Sequence, residues 1–274
     1  PMVLYALVSK ASIGSLFLAG ILPGLIMGLV LMIMNYYLAG KRGFAMEDPI
    51  PLRELPRKTA NAFPALLMPV ILLYGIYGGV TTPTEAAAIA AFYALLLAGL
   101  FYKALSFKTL FNVFVESARS SASVGIVIGG AFILNFIVIS EQIPQSIAML
   151  LEGTDVNPIV FLIVVNLLIL ALGCILDATT IILVIVPLFI PTCEVLGIDL
   201  VHFGVLVVVN SMIGLITPPY GILLFVINAV TDIPLREIIS EIWAFLVILI
   251  AALLIMLLVP DLVLWLPRVF GYQG

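Results

Sequence analysis

The sequence predicts an all-α polytopic membrane protein with an inverted-repeat architecture that contains a re-entrant hairpin and a broken helix. Three observations carry this prediction. Of 274 residues, 64% are hydrophobic and only 9% charged, where soluble domains sit near about 45–50% and about 25%. The apolar residues fall in long runs, as spanning helices require, rather than in the roughly ten-residue alternating segments of a β-barrel. Two of the runs are interrupted by polar or helix-breaking residues, at Asp177-Ala178-Thr179-Thr180 and at Thr217-Pro218-Pro219.

Composition also excludes other classes. A mean hydropathy of +1.33 rules out an ordinary soluble domain and a disordered chain. A net charge of −4 leaves no basic face for nucleic acid. Cys174 and Cys193 both lie in apolar runs, so neither a disulfide framework nor a zinc site is expected. A single histidine, His202, leaves little room for imidazole chemistry and reads as an interfacial residue at the end of a span. No signal-peptide pattern is visible. Residues 1–9 are already apolar, as if the sequence opens inside a membrane helix, and the expectation is the C-terminal part of a longer protein.

Taken in order, 13–39 is the first clear span, followed by a charged, proline-containing stretch, 40–61. Spans 62–80 and 85–102 flank Gly78-Gly79-Val80-Thr81-Thr82-Pro83. Residues 103–120 are polar and basic and suit an amphipathic surface helix, and 121–140 spans again. The stretch 141–157 holds Glu141, Glu152 and Asp155. Residues 158–196 form two apolar limbs about the Asp177 tip, and 201–230 is apolar but broken at Thr217. A short polar segment, 231–241, precedes the last span, 242–266, with Trp243 and Trp265 at its two ends as an aromatic belt.

Lysine and arginine set the orientation. Lys41, Arg42, Arg53, Arg57 and Lys58, then Lys103, Lys108 and Arg119, then Arg236 all fall on one side, the inside. Only Lys10 and Arg268 fall outside. There is a faint internal repeat as well. Ser12-Ile13-Gly14 and Asp232-Ile233-Pro234 each join a short segment to a long span, and the two copies run in opposite directions. Inverted repeats of that kind mark secondary transporters.

Three places can carry chemistry. At Thr217-Pro218-Pro219, proline removes backbone donors inside a 30-residue apolar stretch. Thr217 suits the N-cap and Pro218 the first position of a second half-helix. The carbonyl of Thr217 is expected to lack a helical partner and to offer itself to a cation, with Gly214 permitting close backbone approach. A plain proline kink is the competing reading. An intramembrane carboxylate at Asp177 is costly and suggests a ligand, though it can equally cap the second limb through the Thr180 amide. Thr82-Pro83-Thr84-Glu85 fits a capping box, with Thr82 as cap and Glu85 reaching back. Asn35, Asn135, Asn166, Asn210 and Asn228 suit bonds between helices; Asn210 and Ser211 carry more weight because they lie near the break.

At these residues the chain resembles a known family. Thr82-Pro83-Thr84-Glu85-Ala86-Ala87-Ala88 and Ile213-Gly214-Leu215-Ile216-Thr217-Pro218-Pro219-Tyr220-Gly221 are similar to signatures of the large membrane subunit of tripartite ATP-independent periplasmic (TRAP) transporters. Ser12–Gly24 and Asp199–Gly204 resemble two further ones, and the likeness covers essentially the whole chain. The resemblance implies an elevator-type secondary transporter fold in the bacterial inner membrane, crossing it several times. It implies a sodium-coupled symporter of organic acids such as C4-dicarboxylates or sialic acid. The implied partners are a periplasmic substrate-binding protein, a small membrane subunit, the missing N-terminal half of the large subunit, and the lipid bilayer. Under it, 1–61 closes the first repeat with half a broken helix, a span and a cytoplasmic linker. Residues 62–120 are scaffold spans with an amphipathic arm, and 121–157 a span with a periplasmic connection. Residues 158–230 are the transport-domain hairpin and broken helix, and 231–274 an amphipathic segment with the last span. The hairpin 158–196 then has both ends on the periplasmic side.

The resemblance further places the coupling Na+ ions, and no organic cofactor, at Gly173, Asp177, Ala178, Thr180, Gly214, Thr217 and Pro218. Substrate falls to Thr179, Thr180, Pro219 and Tyr220. No residue needs covalent chemistry. An intramembrane enzyme using Asp177, with Glu85 as the other deep carboxylate, and a non-transporting structural subunit are the alternatives.

Overall fold

A computed structural model describes residues 1–43, 55–78, 80–142 and 157–274. Most of the charged linker (44–54, with Arg53), Gly79 and most of the acidic connection (143–156, with Glu152 and Asp155) lie outside the described residues. Among the described residues all regular structure is helical.

Helix α1, Met2–Ser9, ends on Lys10, which takes a left-handed backbone (φ 59°). Ser12 then caps α2, Ile13–Arg42, by accepting from the Ser15 amide at 3.3 Å. Helix α3 is Leu55–Tyr77; α4 is Pro83–Leu96 and runs on through a π turn at Leu97–Phe101. Helix α5 is Phe107–Ser140. The hairpin limbs are α6, Pro158–Gly173, and α7, Ala178–Leu188, with α8, Ile190–Val195, after them. Then come α9, Leu200–Gly214, and α10, Ile222–Thr231. Helices α11, Leu235–Leu258, and α12, Asp261–Val269, close the chain. Among the described residues, four helices are long and apolar enough to cross a membrane: α2, α4 with its π turn, α5 and α11. The chain is thus a polytopic helical membrane protein.

Two expected boundaries shift. The surface helix over 103–120 and the span over 121–140 are one unbroken helix, α5. Ser120-Ser121-Ala122-Ser123 holds no proline or glycine, so nothing there costs enough to end a helix. The last span runs from Leu235 to Leu258 rather than over 242–266. Pro234 starts it, Pro260 follows its end, and Trp265 falls on the separate helix α12. The segment expected to be a polar link is therefore its first turns, where Glu241 pairs with Arg42 of α2 at 2.6 Å.

The chain divides into two units, Pro1–Gly43 with Val124–Gly274, and Phe44–Ser123. In the second unit α3 packs on α4, and the Tyr93 hydroxyl donates to the Pro64 carbonyl at 2.8 Å. The capping box forms there. The Thr82 amide donates to Glu85 Oε2 at 2.8 Å, and the Glu85 amide to Thr82 Oγ1 at 3.3 Å.

The first unit is organised around α9, which packs against α1, α2, α6 and α11 and has twelve of its fifteen residues buried. In lipid, apolar contact gains little over apolar solvent, so close packing and polar bonds between helices decide what associates. Both kinds are present. Tyr5 of α1 lies against Gly204 and Phe203, with its hydroxyl donating to the Leu200 carbonyl at 2.6 Å. His202, in the first turn of α9, is buried against protein, and its Nε2 lies 3.0 Å from the Met256 carbonyl of α11.

Candidate functional site

Helix α6 has 16 residues and so is about 24 Å long. That is short of the hydrocarbon thickness of about 30 Å. It ends at Gly173, and the amides of Ile175 and Leu176 both fold back onto the Leu172 carbonyl, at 2.9 and 2.8 Å. Asp177 then caps α7. Its Oδ2 accepts from the Thr179 and Thr180 amides at 2.8 and 3.2 Å, and its Oδ1 from the Thr180 hydroxyl at 2.5 Å. Three bonds to its own turn thus engage the carboxylate, and they fix the tip. Helix α7 opens as α, passes through a π turn at Ile181–Ile185 and tightens at Val186–Leu188 around Pro187. Phe161 and Phe189 meet edge to face at 6.3 Å and tie the open ends of the limbs.

Helix α9 is capped by Asp199, whose Oδ1 accepts from the Val201 and His202 amides at 2.8 and 3.0 Å. It ends at Gly214, three residues before Thr217. Thr217 lies in the unwound break, as expected, but its bonding differs from the expectation. Its hydroxyl donates to the Ile213 carbonyl at 2.8 Å. Its carbonyl is not orphaned, because it accepts from the Gly221 amide at 3.1 Å. The donor is four residues on, beyond both prolines, which spacing alone concealed. Nor does the second half-helix start at Pro218. The chain turns through 217–221, with a cis peptide between Pro218 and Pro219, and α10 begins at Ile222. A Cβ on Gly221 would lie 2.9 Å from the Leu215 carbonyl oxygen, so only glycine lets the turn fold against itself. The Leu223 amide bonds the Leu215 carbonyl at 3.1 Å and bridges the break.

The tip and the break meet. A Cβ on Gly214 would lie 2.7 Å from Gly173 Cα, and one on Gly173 would lie 3.0 Å from Gly214 Cα. The two backbones are in direct contact there, a small-residue approach of the kind that fastens helices in membranes. The Cys174 thiol faces the Pro218 carbonyl at 3.8 Å. Deeper along the same pair, Asn210 Nδ2 donates to the Asn166 carbonyl at 2.6 Å and to Asn166 Oδ1 at 2.9 Å. Asn166 Nδ2 in turn bonds Leu162 O at 2.8 Å. Buried amides so bonded hold α6 to α9.

Of the residues singled out from sequence, Gly173, Gly214 and Pro218 are brought together across the hairpin and the break. Asp177, Ala178, Thr179 and Thr180 form one turn at the tip, and that turn packs on α9. Pro219 and Tyr220 are exposed on the break. Thr82 and Glu85 belong to the other unit. Cys174 was missed, because a thiol in an apolar run carries no sequence signal. Gly221 was visible only as the end of a motif. Among the described residues no three His, Cys, Asp or Glu side chains cluster to hold a metal, so a cation here would have to use backbone and hydroxyl oxygens.

A short capped hairpin pressed against a proline-broken helix defines a class: polytopic helical membrane proteins with irregular backbone collected at one place. The family described as "Tripartite ATP-independent periplasmic transporter, DctM component" matches residues 1–262, and the chain belongs to that family. It is 39% identical over 99% of its length to the sialic acid TRAP transporter large permease protein SiaM of Vibrio cholerae, covering 64% of that protein. It is 40% identical over 98% of its length to the C4-dicarboxylate TRAP transporter large permease protein DctM of Pseudomonas aeruginosa, covering 63%. It is 31% identical over 96% of its length to the 2,3-diketo-L-gulonate TRAP transporter large permease protein YiaN of Escherichia coli, covering 62%. The chain therefore spans a little under two thirds of the length of these relatives.

Proposed function

We propose that the chain is part of the large permease of a sodium-coupled symporter that imports small organic acids across the bacterial inner membrane. The observation that carries the reading is the backbone contact between Gly173 and Gly214. It sets the polar tip, Asp177–Thr180, beside the unwound break, 217–221. Carbonyl and hydroxyl oxygens gathered at such a place suit a desolvated sodium ion. Thr217 Oγ1 donates its proton to Ile213 and keeps its lone pairs for a cation. Carbonyls near Gly173 and Gly214 complete that side of the site. Asp177, Ala178, Thr180 and Pro218 shape it, with Asp177 acting through the tip it caps. The carboxylate of the substrate binds at Thr179, Thr180, Pro219 and Tyr220.

Relatives that carry sialic acid, C4-dicarboxylates and 2,3-diketo-L-gulonate support a carboxylate substrate. A family of tripartite periplasmic transporters supports two partners, a periplasmic substrate-binding protein and a small membrane subunit, with the remainder of the large permease completing the site. Movement is by an elevator step. The Gly173–Gly214 contact and the Asn166–Asn210 bonds support α6 and α9 travelling as one body. An intramembrane enzyme built on Asp177 finds no support, since three cap bonds engage that carboxylate.

The test is uptake by the complete permease in proteoliposomes with its small subunit and binding protein. Uptake is expected to require sodium over potassium and to require the binding protein. Thr217→Val keeps the shape, and it should raise the sodium needed for half-maximal uptake about fivefold, the loss of one polar contact. Equal uptake in potassium sinks the coupling. An unchanged sodium curve for Thr217→Val makes the break a hinge instead of a ligand.

A further inference from the structure

A cavity of about 540 Å³ lies in the first unit where α1, α5 and α8 end. Its apolar lining includes Phe132 and Phe136 of α5, Pro187 of α7 and Ile190 of α8. Two charged side chains of opposite sign line it as well, Lys10 beyond the end of α1 and Glu194 near the end of α8. Both are exposed. Neither belongs to an ion pair among the described residues, where the pairs are Arg42 with Glu241 and Arg268 with Asp261.

The lining thus joins two opposite charges to an apolar wall, the profile of a headgroup beside an acyl chain. Opposite charges that have no ion-pair partner among the described residues suit a ligand carrying both signs.

The geometry points to a binding site for one zwitterionic phospholipid with a phosphate and a primary ammonium in its headgroup. The phosphate meets Lys10, the ammonium meets Glu194, and one acyl chain lies along Phe132, Phe136, Pro187 and Ile190. An anionic phospholipid would satisfy Lys10 and be repelled by Glu194.

The experiment is native mass spectrometry of the purified permease after delipidation. Dioleoyl phosphatidylethanolamine and dioleoyl phosphatidylglycerol are added back in equal amounts. The wild type should retain one phosphatidylethanolamine about fivefold over phosphatidylglycerol, the weight of one interfacial charge. Glu194→Gln should equalise the two lipids. Lys10→Met should lower retention of both about fivefold. Lys41→Met, at the far end of α2, should leave the wild-type preference. Equal retention or a preference for phosphatidylglycerol in the wild type overturns the proposal. So does a phosphatidylethanolamine preference that survives both Glu194→Gln and Lys10→Met, or one that Lys41→Met removes.

Discussion

Twice in this chain a short helix leads into a long one: α1 into α2, and α10 into α11. The elbows use the same backbone device. The short helix ends on a left-handed residue that is not glycine, Lys10 at φ 59° and Asp232 at φ 57°. The long helix starts three residues later, at Ile13 and at Leu235. The two long helices then pack on one another. The short ones fare differently. Helix α1 buries Tyr5, Ala6 and Ser9 against α7 and α9, while α10 buries Leu224 and exposes Phe225, Val226 and Val230. Both are mostly apolar. What differs is the neighbour, a tyrosine seated on a glycine of α9 in one case and no such seat in the other. The backbone of the repeat is written locally, but burial is written by what stands beside it.

The largest test of this contrast strikes the platform on which α1 rests. Gly214→Ala places a Cβ 2.7 Å from Gly173 Cα and 2.8 Å from its carbonyl carbon, where only backbone can yield. It should cost about 3 kcal/mol and part α6 from α9. Thermal unfolding in detergent gives the loss. Hydrogen exchange should show lower protection over 2–9 and 200–214, with 222–231 near its wild-type value. Full protection over 200–214 would mean that the glycine contact is incidental.

Gly204→Ala acts on the seat alone. The added methyl would collide with the Tyr5 ring, which its bond to the Leu200 carbonyl holds in place. A cost of about 2 kcal/mol is expected, with faster exchange confined to 2–9. If α1 stays protected, the neighbour does not decide its burial, and the comparison between the two elbows fails.

The smallest effect concerns the tail beyond α12. The Tyr272 hydroxyl donates to Asp199 Oδ1 at 3.3 Å. Burial, and then the Asp199 charge, push the Tyr272 hydroxyl up to about 12. The neutral phenol is favoured in the folded state. Its contribution is complete below the ordinary value of about 10 and fades as pH rises through about 12. An ultraviolet phenolate titration should show a late-ionising component at about 12 that Tyr272→Phe removes. The elbow at Lys10 should not respond to that change.

Much of the architecture was legible because it rests on local chemistry. The capping box at Thr82 and Glu85 and the cap at Asp177 are satisfied within three residues of chain. Membrane helices announce themselves by length. The meeting of Gly173 with Gly214 was legible only as two glycines near two interruptions. What failed needed knowledge of a distant partner. Thr217 looked like an orphaned carbonyl because both following residues lack donors, and Gly221 supplies one only through the turn that the chain happens to make. The partner of His202 was hidden because nothing local reveals the Met256 carbonyl 54 residues on. The join inside α5 was hidden because a change of polarity resembles a boundary, while the backbone recognises only breakers.

The π turn in α7 has a consequence for phase. It takes in one more residue per turn than the α-helix around it, immediately before Pro187, whose ring would otherwise press on the carbonyl of Leu183. Everything after it is rotated relative to everything before it, by about 100°. Ile181, Ile182 and Leu183 are buried within the turn, and Val186 and Pro187 beyond it, a sequence of contacts that no single helical face could give. Phe189 owes its meeting with Phe161 to that offset. A chain shorter by one residue between 181 and 185 would keep the tip and both limbs but turn Phe189 away, leaving the hairpin closed at its point and open at its base.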